Sequence, residues 1–210
     1  MYRHIFLDFN GTIIDDLDLC VELLNKFLIE QGAKTLNEDE YKHVFKFPIK
    51  QYYADAGIDF NKESYDSLSI RFIKEYQPRS MSCGLFPGTV ETVKKLKEMG
   101  IHVYILSASE QNNLLEQTDT YGITKYFDAV LGIDNIHAAS KVDIALDFMK
   151  KTDIKASETL FVGDTLHDYE VSKAMNVDCC LVSCGHQAKD VLLKAGVPVI
   201  SAVRDIFSIL

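Results

Sequence analysis

The chain has 210 residues, 47% of them hydrophobic, which suits one large domain or a core with a modest insert. Its net charge of -9, with no basic cluster, excludes a surface that tracks nucleic-acid phosphates, so an anionic ligand would need a metal or a few placed cations. Five cysteines (Cys20, Cys83, Cys179, Cys180 and Cys184) make an odd set without a paired CxxC, which excludes a disulfide framework and suggests reduced cytoplasmic thiols.

At the start, the apolar run after His4 is too short for a signal peptide, and no later stretch reaches the length of a membrane span. The expectation is a cytoplasmic protein with neither membrane nor nucleic-acid partners. Ile5, Phe6 and Leu7 run without alternation, as in a parallel strand covered on both faces, and the run ends in Asp8-Phe9-Asn10-Gly11-Thr12. Ligands of open α/β sheets bind beyond such strand ends. Asp8 there is a nucleophile, a metal ligand, or simply a strand-capping carboxylate before a glycine turn. Gly11 lets the backbone approach an anion, and Thr12 offers a hydroxyl to a phosphoryl oxygen.

From Leu17 the apolar residues return at helical spacing through Leu28, with Gly32 as the stop. Further helices are predicted from Asn37 to Pro48, from Ile49 to Ala56 and from Lys62 to Tyr76. Residues 17–81 therefore read as an all-α unit inserted between 1–16 and 82–210. Beyond it, helix and strand alternate: helix Thr89–Met99, strand Val103–Leu106 ending at Ser107-Ala108-Ser109, helix Gln111–Tyr121 and a short strand Ala129–Leu131. Then follow helix Lys141–Lys151, strand Thr159–Val162 ending at Gly163-Asp164, helix Asp168–Met175 and strand Cys179–Val182, whose cysteines are core residues. Helix Gln187–Lys194, strand Val197–Ile200 and a helix from Val203 close the chain. This alternation implies an α/β, Rossmann-like parallel sheet with helices on both faces and an inserted all-α cap domain.

A parallel sheet brings the strand ends to one edge, so Asp8, Ser107, Asp164 and Asp168 converge there. Three carboxylates suit Mg²⁺, which takes carboxylates together with waters and substrate oxygens, and Lys141 supplies a cation. In this order and spacing the motifs resemble those of the haloacid dehalogenase (HAD) superfamily, and the match runs over essentially the whole chain. Asp8 to Thr12 resembles the family's Asp-x-Asp-Gly-Thr, Ser107 its strand-end Ser/Thr, Lys141 its lone lysine, and Gly163 to Asp168 its acidic motif. Leu85-Phe86-Pro87-Gly88 and Gly185-His186-Gln187 with Ala195-Gly196-Val197-Pro198 resemble the phosphoglycolate phosphatase branch.

The resemblance implies a phosphatase acting on a small phosphorylated metabolite, as monomer or homodimer, through an aspartyl-phosphate on Asp8. It implies catalytic roles for Asp8, Asn10, Thr12, Ser107 and Lys141, and Mg²⁺ at Asp8, Asn10 through its carbonyl, Asp164 and Asp168. Asp168 alternatively orients Lys141. Gly11, Ala108, Lys46 and Lys50 stand on the substrate side, the two lysines within a cap segment that could meet a substrate carboxylate. One position departs from the pattern. Asn10 replaces the carboxylate that would protonate the leaving oxygen, a role worth roughly 10² to 10⁴ in rate. A substrate with a good leaving group, a shuttle at His167 or His186, an engineered trap, a phosphonatase, or a phospho-ligand-binding homologue that has lost turnover would each accommodate that change.

Overall fold

The computed structural model describes residues 2–133 and 140–210. Strand β1 (His4–Leu7) is flanked in space by β2 (His102–Glu110) and β4 (Thr159–Gly163), and Ile5, Phe6 and Leu7 are all fully buried. With β3 (Ala129–Ile133), β5 (Asp178–Val182) and β6 (Val199–Ile200) they form a six-stranded sheet of order β3-β2-β1-β4-β5-β6, parallel throughout. The expected α/β class is what the chain adopts.

Successive residues of the central strands point to opposite faces, so the apolar runs feed two cores. Ile5, Leu7, Val103, Ile105, Leu160 and Val162 pack on one side with Val93 of α5 (Thr89–Glu98) and Leu114 of α6 (Gln111–Thr120). Phe6, Tyr104, Leu106 and Phe161 pack on the other with Ala145 and Met149 of α7 (Lys141–Lys151) and Val171 and Met175 of α8 (Leu166–Met175). Cys179 and Cys180 are buried strand residues, as the sequence suggests.

Between β1 and α5 lie four helices: α1 (Leu17–Glu30), α2 (Glu38–Val44), α3 (Ile49–Ala56) and α4 (Tyr65–Ser80). They have a core of their own in which Leu24, Phe27 and Leu28 of α1 meet Tyr41, Tyr52, Tyr53 and Leu68. A capping box between Asn37 and Glu40 starts α2, and Ser64 caps α4 through the Ser67 N–H.

Local chemistry moves several boundaries from their predicted places. Helix α4 begins at Tyr65 because Ser64 caps it, and it runs through Pro78 to Ser80. Strand β2 continues past Ser107 to Glu110 with a register shift, where Gln111 donates to the Val130 carbonyl and accepts from the Gly132 N–H. Helix α8 starts at Leu166, behind a capping box of Thr165 and Asp168. The segment after Gln187 is only a short α9 (Lys189–Leu192) followed by a 3-10 turn, β6 is confined to Val199–Ile200, and the closing helix Val203–Ser208 is 3-10. Among the described residues, no helix is long and apolar enough to cross a membrane.

The inner face of α1 is expected to dominate the stability of the helical layer. Leu28→Ala, which empties a fully buried site, is expected to cost about 2–5 kcal/mol, measured as a lowered urea midpoint.

Candidate active site

Asp8 is the first residue beyond β1, its N–H donating to the Val162 carbonyl at 2.8 Å. Lys141, the first residue of α7 behind the N-cap Ser140, donates Nζ–H to Asp8 Oδ1 at 2.5 Å and to Asp168 Oδ1 at 2.7 Å. The other Asp168 oxygen accepts from the Thr165 N–H at 3.0 Å and the Thr165 hydroxyl at 2.7 Å. This return over the strand end requires Gly163, where a Cβ would sit 2.3 Å from the Asp168 carboxyl carbon. Asp164 accepts from the Thr12 hydroxyl at 3.3 Å and from the His186 N–H at 2.6 Å. Thr12 is fully buried, so its hydroxyl holds Asp164 in place instead of facing the cavity.

Burial dominates the electrostatics of this group. It pushes Asp8 up to about 8, against the pull of Lys141 and with the push of Asp168 and Asp164. Asp164 rises to about 6, again mainly through burial. Asp168 stays below the usual carboxylate range: burial raises it, but Lys141 and Thr165 more than offset that. One oxygen each of Asp8, Asp164 and Asp168 lies within 4.8 Å of the others. Such crowded hard-oxygen donors, two of them raised chiefly by burial, fit a divalent cation. Asp8 keeps one oxygen without a hydrogen bond among the described residues, and Asp164 is held only by neutral donors, whereas Asp168 is tied to the Lys141 ammonium, so Asp8 and Asp164 are the better ligands.

A second buried network stands beside the first. Asn10 donates Nδ2–H to Asp16 Oδ2 at 3.0 Å and to the Tyr76 hydroxyl at 2.6 Å, and its Oδ1 accepts from the Ser109 hydroxyl at 3.2 Å. Asp16 also accepts from the Gly11 N–H (3.0 Å), the Tyr76 hydroxyl (2.6 Å) and His186 Nε2 (3.1 Å), while His186 Nδ1 meets the Tyr41 hydroxyl at 3.0 Å. Although burial opposes each charge, the pair sustains both: Asp16 lies below its ordinary value, and Asp16 foremost lifts His186 to about 9. Gly11, at φ +70°, makes this packing feasible, since a Cβ there would overlap Asp164 and His186. Above both networks, between the strand ends and α2–α4, is a cavity of about 330 Å³.

The sequence pattern of the haloacid dehalogenase-like hydrolases matches residues 5–182. The chain belongs to this family. Over 192 residues it is 27% identical to a phosphoglycolate phosphatase of Pseudomonas fluorescens, covering 88% of this chain and 70% of that one. A phosphoglycolate phosphatase of Caulobacter vibrioides is 25% identical over 194 residues, covering 89% of this chain and 81% of the other. The fold is shared with a haloacid dehalogenase-like hydrolase from Streptococcus pneumoniae (TM-score 0.82, 15% identity, covering 99% and 97% of the two chains). It is shared equally with one from Bacteroides fragilis (TM-score 0.81, 20% identity, covering 98% and 100%).

Within this HAD site, Asp8, Asn10, Ser107, Ala108, Lys141, Asp164 and Asp168 all line the cavity. Lys46 and Lys50 do not. Lys46 pairs with Asp55, and the Lys50 ammonium lies 5.8 Å from the Phe60 ring and 6.0 Å from that of Tyr65. His186 is enclosed by Asp16 and Tyr41, and His167 stacks on Phe47 at 4.3 Å. Sequence reasoning missed Asp16, Tyr41 and Tyr76. The only signal was Asp15-Asp16 ahead of α1, which reads as a helix start, although the Asp16 side chain makes no cap bond.

Asn10→Asp would place two carboxylates across the 3.0 Å now bridged by an N–H. The paired acid would have a raised folded-state pKa, so stability present below about pH 4 is lost as pH rises through that raised value. The variant is expected to melt close to wild type at pH 5 and to lose roughly 1–3 kcal/mol by pH 8, read from thermal unfolding at both pH values.

Proposed function

We propose that the chain is a Mg²⁺-dependent phosphohydrolase acting on a small phosphorylated metabolite through an aspartyl-phosphate on Asp8. In this reading residues 17–81 are a cap over a catalytic core formed by 1–16 and 82–210. The observation that carries it is the convergence of Asp8, Lys141 and Asp164 on the floor of one cavity.

Lys141 holds Asp8 Oδ1 and leaves Oδ2, which accepts no hydrogen bond from the described residues, to attack phosphorus. The bond to the leaving oxygen breaks as the new Asp8–phosphorus bond forms, and water then hydrolyses the acyl phosphate to return the carboxylate. Ser107 and Lys141 bind the phosphoryl oxygens on which charge accumulates. Asp168 keeps Lys141 protonated and aimed, and Thr12 keeps Asp164 aimed. Asp8, Asp164 and the backbone carbonyl of Asn10 would hold Mg²⁺, which when bound would supply positive charge against the phosphate. Aromatic side chains of the helical layer exclude bulk water from the site. A phosphonatase reading needs a cap lysine that reaches into the cavity to form a Schiff base with a substrate carbonyl, and neither Lys46 nor Lys50 lines the cavity, so it is not favoured.

Phosphate release from p-nitrophenyl phosphate with Mg²⁺ tests this reading. Activity is expected in the native chain and none above background in Asp8→Asn; equal rates in the two would overturn it. Metal linkage supplies a second check. The raised Asp8 and Asp164 favour the metal-free fold below about pH 4, and that contribution fades as pH climbs through about 6 and 8, where bound Mg²⁺ compensates. The stabilisation by Mg²⁺ over EDTA, about 2.7 kcal/mol at a hundredfold excess over Kd, is therefore expected to be larger at pH 8 than at pH 5.5. It is expected to vanish in Asp164→Asn, both read as melting shifts.

A further inference from the structure

Two independent features of the cavity bear on what the phosphate is attached to. The first is the supply of protons. Both Asn10 donors are spent on Asp16 and Tyr76, the Asp16 oxygens accept from Asn10, Gly11, Tyr76 and His186, and both His186 nitrogens are engaged. Lys141 is committed to Asp8 and Asp168. No side chain at the Asn10 position therefore has a proton free for a departing oxygen.

The second feature is the wall facing Asp8. Phe45, Tyr52, Tyr53, Tyr65, Phe72 and Ile73 line it. The rings form a connected surface: Phe45 lies 4.9 Å from Tyr52 and stacks on His186 at 5.0 Å, and Tyr52 lies 5.0 Å from Tyr53. Lys141 is the one lysine or arginine among the described lining residues, and it is already paired. A carboxylate carried by the substrate would meet no free ammonium or guanidinium there, only neutral tyrosine and Ser69 hydroxyls and the His167 ring, which compensate a buried charge less well than an ion pair. An aromatic ring would instead gain offset-stacking and edge-to-face contacts. Ile73, half-exposed, marks where the wall reaches solvent.

We infer, resting on the phosphatase reading, that the substrate is a small aryl phosphate whose phenol-type ring lies against the Phe45, Tyr52 and Tyr53 wall while its phosphate meets Asp8. A phenol ionises near about 10, as tyrosine does, whereas an aliphatic alcohol resembles water, near about 16. When Asp8 attacks, the phosphorus–oxygen bond breaks with its electron pair leaving as phenoxide. The phenoxide takes its proton from solvent, and water then hydrolyses the acyl phosphate on Asp8, releasing inorganic phosphate and returning the carboxylate. No general acid is needed in the first step.

The test measures kcat/KM with Mg²⁺ for phenyl phosphate, butyl phosphate and phosphoglycolate, with acetyl phosphate as a reference, in the native chain and in Asp8→Asn. Butyl phosphate separates leaving-group chemistry from the substrate's carboxylate. The expected result is phenyl phosphate ahead of both alkyl phosphates by at least about 10², the lower bound of what a general acid would otherwise supply, with phosphoglycolate no better than butyl phosphate. A smaller margin, or phosphoglycolate ahead of butyl phosphate, would overturn the aryl assignment while leaving the phosphatase reading intact. Absence of Asp8-dependent release from every compound, acetyl phosphate included, would overturn both.

Discussion

The ammonium of Lys141, held between Asp8 and Asp168 with a 4% exposed side chain, is the interaction on which the carboxylate-rich edge of the sheet depends. Three carboxylates within reach of one another at the end of a buried sheet repel, and each resists losing water. One fixed cation makes their proximity tolerable. The surrounding structure is arranged to fix it: Ser140 starts α7 so that its first residue points inward, and Gly163 leaves room for Asp168 to fold back under the Thr165 cap. Removing either partner of such a pair leaves a charge buried alone, which costs far more than the net worth of the pair.

The Asp16–His186 pair solves a related problem differently. It sits on the other side of Gly11, and its charges are satisfied by partners from three regions: Gly11 of the loop after β1 and Tyr76 of α4 donate to Asp16, and Tyr41 of α2 meets His186. The two networks touch at Asp164, which takes the His186 N–H, and at Asn10, which lines the cavity with Asp8 and donates to Asp16. An amide at position 10 suits this junction because it gives hydrogens to Asp16 and Tyr76 while accepting from Ser109. A carboxylate could accept only.

Legibility in the sequence followed the range of the interactions. Uninterrupted apolar runs reported β1, β2, β4 and β5, since burial on both faces is written into each run itself. Asp8 and Asp164 with Asp168 could be read because strand ends of a parallel sheet meet at one edge whatever the details, and Lys141, at a helix start, through the resemblance of the motifs. Asp16 could not be read, because its partners Tyr76 and His186 lie 60 and 170 residues away and Asp15-Asp16 resembles ordinary helix-start chemistry. Lys46 and Lys50 were misleading for the same reason: a lysine next to a cavity-lining segment finds Asp55 or an aromatic ring only once the helices pack. The length of β2 escaped because Gln111 extends it with side-chain hydrogen bonds, which periodicity does not register.

The seam between the helical layer and the sheet is thin compared with either interior. Gln187 spans it, accepting from the Leu166 N–H and donating to the Phe45 carbonyl at 2.8 Å, and the Ala188 N–H donates to the Lys42 carbonyl at 3.1 Å. The Tyr41–His186 contact and the Phe47–His167 stack complete it on that side. At about 1 kcal/mol net for each hydrogen bond, these contacts total only a few kcal/mol. The core shared by Leu24, Phe27, Leu28, Tyr41, Tyr52 and Tyr53 contributes about 1.5–3 kcal/mol for each buried aliphatic or phenylalanine side chain. On the other side of the cavity α4 adds the Tyr76 bonds to Asp16 and Asn10 and the Gln117–Ser80 bond, so the seam is held at both ends by hydrogen bonds more than by a shared core. Opening there exposes the aromatic wall and the strand ends together, so a ligand that touches both surfaces gains contacts only in the closed arrangement and draws the seam shut by that difference.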